Sequence, residues 1–285
     1  VTASRVLFDE PGPRGRRRIR IASVLAVLVV AGLLALALRQ FGENGQLAAS
    51  RWRPFVQVSY LRFLWHGLEG TLKAAATSAV LAFPIGALLA LLRLSRTRPV
   101  RWLATGYIEL FRSVPLLLLI YAFLLALPRY HVNLPIFWKL VVPIVMVSAA
   151  SLAEVFRAGV LALDAGQGEA AAAIGLRYWQ SMRLVVLPQA IRLVLPTLIT
   201  QLVSILKEST LGYVVSYPEL MRQGQTLTVY THLLVQTFLI IAVIYVVINF
   251  GLSRVAALID QRLQSRRPSR GPGPAGRRML ARPGP

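Results

Sequence analysis

Apolar positions along this chain gather into six runs, at 21–38, 71–92, 102–127, 139–161, 191–215 and 231–252. Each is near or above the ~18–20 residues that a helix needs to cross the apolar core of a bilayer. The run at 21–38 exceeds the roughly 7–15 apolar residues of a cleaved signal peptide, and it ends at Arg39-Gln40 rather than at small residues. It is therefore predicted to be an uncleaved span. Residues 39–60, polar but carrying Trp52, Phe55 and Tyr60, suit the outer side and the membrane interface. The stretch 61–94 is long for one span, so residues 60–66 are expected along the interface and 71–92 across the bilayer, kinked by Pro84 and Gly86. Residues 128–138, with Pro128 and Pro135, and residues 216–230 return to the outer side. The ends, 1–20 and 256–285, are rich in Pro, Gly and Arg without apolar periodicity, and are expected to be disordered tails. The fold class predicted is an all-α integral membrane protein with about six transmembrane helices.

Composition agrees with that pattern: 56% of the 285 residues are hydrophobic and only 15% charged, against about a quarter charged in soluble domains. A net charge of +21 would point to nucleic acid in a soluble chain. Here the arginines crowd 14–20, 93–101 and the chain from Arg254 onward, which fall on one side if the spans alternate. The charge thus predicts topology and no nucleic-acid partner. Both termini and the segment 163–192 are placed in the cytoplasm of a multi-pass membrane protein in contact with lipid. With no cysteine, disulfides, iron–sulfur clusters and thiolate zinc sites are excluded, and three scattered histidines argue against a bound metal. No Gly-x-x-x-x-Gly-Lys-(Ser/Thr) segment occurs, so no nucleotide site is expected in this chain.

Between the fourth and fifth runs the chain reads Gly168-Glu169-Ala170-Ala171-Ala172-Ala173-Ile174-Gly175, then a basic turn, then Val185-Val186-Leu187-Pro188. Strong helix formers between two glycines predict one short helix over 169–174. Its alanines make a flat surface that suits a groove on a partner, and Gly175 is expected where φ is positive or a side chain would clash. Glu-Ala-Ala, three residues, Gly, nine residues, an aliphatic residue, a spacer and Leu-Pro resembles the EAA loop of ABC importer permeases, with Val185 where that family usually has isoleucine. Further segments resemble the polar amino-acid subgroup that imports histidine, glutamate, glutamine or arginine. These are Gly67, Thr71 and Leu72, the stretch Glu109 to Leu116 with Arg112 and Pro115, Glu154-Val155-Phe156-Arg157-Ala158-Gly159, Lys207-Glu208-Ser209-Thr210, and Tyr217-Pro218-Glu219-Leu220. The extra first span is similar to the glutamate-type branch. The resemblance covers 61–255, taken as the permease domain, and leaves out the span 21–38 and both tails.

The resemblance implies a type I importer core of five helices behind the extra span. Gly168, Glu169, Ala170, Ala171, Gly175, Leu187 and Pro188 would then couple to an ATPase. Arg112, Pro115, Glu154, Lys207, Glu208, Ser209 and Thr210 would line the translocation path or its gate. It also implies a dimer of ATPase subunits that hold ATP and magnesium, a second permease subunit, identical or related, an external amino-acid-binding protein, and transport by alternating access without bond chemistry in this chain. The residues themselves leave alternatives open. Charges inside a span cost several kcal/mol unless paired or solvated, and neighbours on a helix point about 100° apart, so Lys207 and Glu208 do not pair readily. They can mark a pathway, a buried interhelical pair or a helix end near water. Glu154 and Arg157, three apart, can simply pair with each other. An ion-driven secondary transporter would also hold charges in its spans but has no use for the 169–188 spacing, and a non-transporting scaffold has no use for the charges.

Overall fold

A computed structural model of the chain describes residues 12–164 and 166–265, and those residues are helical throughout their ordered elements, with no strand among them. Among the described residues five helices are long and apolar enough to cross a membrane, or six spans if one sharply bent pair counts as one. The expected tails at 1–11 and 266–285 lie outside the described residues. The chain divides into two compact units, Val1–Leu61 with Leu233–Gln236, and Arg62–His232 with Thr237–Pro285.

In the first unit, helix α1 runs Pro13–Glu43. It begins well before residue 21, which corrects the expectation of disorder for residues 13–20. Proline at the first helical position needs no hydrogen bond, and the arginines that follow are good helix formers. After it, Gln46 gathers the turn: its carbonyl accepts from Trp52 Nε1 (3.1 Å) and Gln236 Nε2 (2.7 Å), and its Oε1 accepts from Arg51 Nη1 (2.8 Å). A short helix α2 (Ala49–Trp52) and a 3-10 turn (Arg53–Val56) follow.

In the second unit the core is built on α6 (Ile136–Leu161). Its Leu140, Val141, Ile144, Ala149 and Leu152 are buried with Ala74, Ala75 and Ala82 of α3 (Val58–Arg93) and with Val194, Leu198 and Ile205 of α9 (Leu187–Glu208). Without a hydrophobic drive between helices in lipid, close approach of small residues provides the packing. A Cβ at Gly86 would meet Leu152 Cβ at 2.7 Å and Ala149 O at 2.9 Å, and one at Gly159 would meet Val194 Cγ1 at 2.6 Å. Helix α3 is continuous over 36 residues with Pro84 inside it, so residues 60–66 are not a separate interfacial segment. At about 1.5 Å per residue it is longer than the bilayer core is thick.

The third predicted span is not one rod. Helix α4 (Arg98–Ser113) meets α5 (Leu116–Tyr121) at a 96° bend, and α5 continues through a π turn (Ala122–Ala126) and a 3-10 turn (Leu127–Tyr130). Pro115 lacks an N–H and disfavours helix in the residue before it, and Val114 is extended at φ −86°, ψ 126°. After α6 come α7 (Gly166–Ala173) and α8 (Tyr178–Ser181); after α9 come a 3-10 turn (Ser209–Val215) and α10 (Leu220–Thr231). Residues 216–230, expected as an outer connection, thus hold a helix of their own. Helix α11 runs Leu234–Ser265, so the predicted tail is helical up to residue 265.

Candidate functional site

Helix α7 starts at Gly166, not at Gly168 or Glu169 as the glycine spacing predicts, because Asp164 Oδ1 accepts from the Gly166 N–H (2.9 Å). Glu169 stands in its first turn, where the helix dipole favours a negative charge. Ala171 turns inward and is buried, while Glu169, Ala170, Ala172 and Ala173 are exposed and Ile174 is 77% exposed. Gly175 closes the helix at φ +83° with no atom within 4 Å of a would-be Cβ. Conformation, not space, therefore demands glycine there. Its N–H reaches Ala172 O (2.9 Å) and that of Leu176 reaches Ala171 O (3.1 Å), satisfying carbonyls at the helix end.

Two contacts fix this helix and the turn behind it. Gln189 Nε2 donates to Gln167 Oε1 (3.0 Å), tying the start of α9 to α7, and the Arg96 guanidinium lies 5.1 Å from the Tyr178 ring. Leu187 and Pro188 open α9 directly after a π turn (Met182–Val186), a local break in regular α-helical bonding that accommodates a proline with no N–H to donate. Trp179 and Leu184 add exposed apolar surface at 62% and 63%.

The charges in α9 separate. Glu208 is half-buried and its Oε2 accepts from Ser148 Oγ of α6 (3.0 Å), whereas Lys207 is exposed, with no carboxylate in ion-pair range among the described residues. Ser209 is fully buried and donates to Leu206 O (2.8 Å); Thr210 donates to Lys207 O (2.7 Å). Glu154 is committed to arginines: Arg157 reaches its Oε2 through Nε (3.1 Å) and Nη2 (3.0 Å), and Arg93 of α3 touches its Oε1. Arg93 also stands 3.6 Å from Glu109 of α4, so one ion network joins α3, α4 and α6. Arg112 and Pro115 are exposed beside the bend, and no hydrogen bond or ion pair among the described residues links them to Lys207–Thr210. Arg93, Glu109 and Ser148 carry no spacing signal of their own, and only the packing of α3, α4 and α9 on α6 brings them in.

A second polar centre forms where the chain passes from α9 to α10. Glu219, wholly buried, caps α10 by accepting from Met221 N (2.8 Å) and Arg222 N (2.5 Å), and Tyr245 donates to it (3.3 Å). Thr71 Oγ1 accepts from Leu220 N (3.0 Å) and donates to Gly67 O (3.1 Å). Glycines let the backbones meet: a Cβ at Gly67 would fall 2.8 Å from Gln223 Cγ, and Cβ atoms at Gly70 and Gly224 would strike Pro218 O and Ile241. Glu219 lies between the candidate spans Tyr178–Val215 and Leu234–Val255. Burial pushes its carboxyl up to about 7, while the Met221 and Arg222 N–H groups and the Tyr245 hydroxyl pull the other way. Among the described residues no cluster of His, Cys, Asp or Glu could hold a metal ion.

The model for the binding-protein-dependent transport system inner membrane component family matches residues 82–265. The glutamate transport system permease protein GluD of Corynebacterium glutamicum is 37% identical over 229 residues, covering 79% of this chain and 84% of that protein. The arginine transport system permease protein ArtQ of Bacillus subtilis is 32% identical over 209 residues, covering 73% of this chain and 95% of that protein. Among solved structures, a chain of an amino acid ABC transporter crystallised with histidines superposes with a TM-score of 0.68 at 33% identity, over 72% of this chain and 96% of that one. A chain of a bacterial alginate importer, at 14% identity, shares the fold alone (TM-score 0.61, 87% of this chain and 96% of that one). The chain, a multi-pass all-α membrane protein, belongs to the binding-protein-dependent transport system inner membrane component family, the permeases of ABC importers.

Proposed function

We propose that this permease imports polar amino acids, with glutamate or a close analogue favoured by the GluD relative, and that α7 is its contact with a separate ATPase that binds ATP and magnesium. The exposed α7, closed by Gly175 at φ +83° on the Glu169–Pro188 spacing, carries this reading. A partner groove would receive the flat alanine face, with Ile174 and Trp179 beside it, and movement of the ATPase pair would pass through Gln167–Gln189 into α9. The path would form between this chain and a second permease subunit, fed by an external binding protein. Lys207 and Thr210, with Arg112 and Pro115 at the α4–α5 bend, are the residues assigned to it, and Ser209, buried on Leu206 O, supports them from behind. Glu208, through Ser148, and Glu154, through Arg93 and Arg157, hold the helices around it. The arginine distribution supports a cytoplasmic side for both termini and α7.

The test is co-expression with the candidate ATPase, followed by pull-down and uptake. Aspartate at Gly175 puts a negative charge and a side chain on the left-handed end of the docking helix, so Gly175→Asp is expected to release the ATPase or abolish uptake, and Glu169→Lys to weaken both. Normal co-purification and normal uptake by both variants would remove α7 from the coupling role.

A further inference from the structure

Helix α10 presents Arg222, Gln225, Thr226, Val229 and Tyr230 around an open, shallow hollow of about 720 Å³. Arg222 is half-buried at its rim. Among the described residues its guanidinium makes one hydrogen bond to a side chain, a long one from Nη1 to Gln225 Oε1 at 3.5 Å, and has no carboxylate in ion-pair range. Glu219, the nearest acid in sequence, is wholly buried and spends its oxygens on the backbone N–H groups of Met221 and Arg222 and on Tyr245. The guanidinium therefore keeps its charge and most of its donors for a ligand. Thr226 donates its own proton to Arg222 O (3.1 Å), which leaves its lone pairs as acceptors, and Gln225 Oε1, engaged only by the long Arg222 bond, has a second acceptor position. Tyr230 and Val229, 79% and 75% exposed, supply an apolar wall for a carbon skeleton.

The helix that carries this face is held rigidly. Glu219 caps it, Thr71 fixes Leu220, and the close approaches at Gly67 and Gly224 leave it no room to slide on α3 or α11. Such a support holds the Arg222 backbone in place before any ligand arrives, which lowers the ordering cost of binding. We propose that the Arg222–Gln225–Thr226 face of α10 is a site for a free amino acid entering the permease, with the carboxylate on the guanidinium and the ammonium on the Thr226 and Gln225 oxygens. A planar guanidinium takes a carboxylate through two parallel bonds, and lysine does not reproduce that geometry. The inference rests on the importer reading and on the orientation that places α10 on the outer side.

The experiment uses the whole importer in proteoliposomes, permease with ATPase and binding protein, supplied with a mixture of tritiated L-amino acids. Uptake per ATP hydrolysed and the ATPase stimulation caused by loaded binding protein are both measured. Loss of a charge-assisted contact at Arg222→Gln is expected to lower uptake per ATP about tenfold, since substrate released to the permease escapes outward. Arg222→Lys is expected to lose less, and the stimulation is not expected to fall with uptake. Unchanged uptake per ATP in Arg222→Gln would overturn the site. Loss of stimulation in step with uptake would also overturn it, assigning Arg222 to an acidic surface of the binding protein. Failure of the importer reading looks different: the wild-type assembly itself then shows neither stimulated ATPase nor uptake.

Discussion

Lys207 and Glu208 are neighbours in sequence and opposite in environment. Glu208 meets Ser148 of α6, while Lys207 faces out of the chain. A carboxylate that loses its hydroxyl donor inside a helix bundle is left less well solvated, a cost of about 1.5–3 kcal/mol. Ser148→Ala and Glu208→Gln are therefore expected to lower the melting temperature of the purified protein, whereas Lys207→Met leaves it within error and changes the uptake rate or substrate preference. Equal melting and equal uptake in Lys207→Met would remove Lys207 from the path. The adjacency of the two charges is plain in the sequence, and so is the fact that a helix separates them. Which of them meets a neighbour is not, because Ser148 lies 60 residues away and only the α6–α9 packing brings it in. The same holds for Glu154: Arg157 three residues on is a visible partner, but Arg93 arrives from the end of α3.

At the scale of elements, glycine sets the distances between spans. Gly159 lets Val194 of α9 reach the α6 backbone, so Gly159→Leu forces the pair apart, an overpacking cost of about 1–3 kcal/mol. The expected result is a melting temperature lowered as much in detergent without the ATPase as with it, and an unchanged melting temperature would mean that α6 and α9 do not pack this closely. Apolar run lengths revealed the spans because lipid exposure is a local property of composition. They concealed the break at Val114–Pro115, where Arg112, Ser113 and Pro115 interrupt an otherwise apolar stretch without ending it. They concealed α10 as well, because a helix that leans on α3 and α11 through Thr71, Gly224 and Glu219 needs little apolar sequence of its own. The start of α1 at Pro13 was hidden for the opposite reason: a run of arginines reads as a tail, yet arginine sustains a helix well.

For the whole molecule, the arginine distribution and the EAA-like spacing are independent signals, and both agree with the proposed cytoplasmic position of α7. With no native cysteine, single cysteines report without background. Ser50→Cys is expected to react with a membrane-impermeant maleimide in intact cells, whereas Ser95→Cys, between α3 and α4, reacts only after the cells are opened; the reverse pattern would invert the topology. The same clean background permits the most direct test of the account, a cross-link from α7. Ala173→Cys, on the exposed face beside Ile174 and alkylated with a benzophenone maleimide, is predicted to form on irradiation a cross-linked product with the ATPase subunit, identified by mass spectrometry, that is lost when Gly175→Asp is added. An Ala173→Cys protein that transports normally, yet cross-links to no ATPase in the assembled complex, would contradict the claim that this helix couples the chain to ATP hydrolysis.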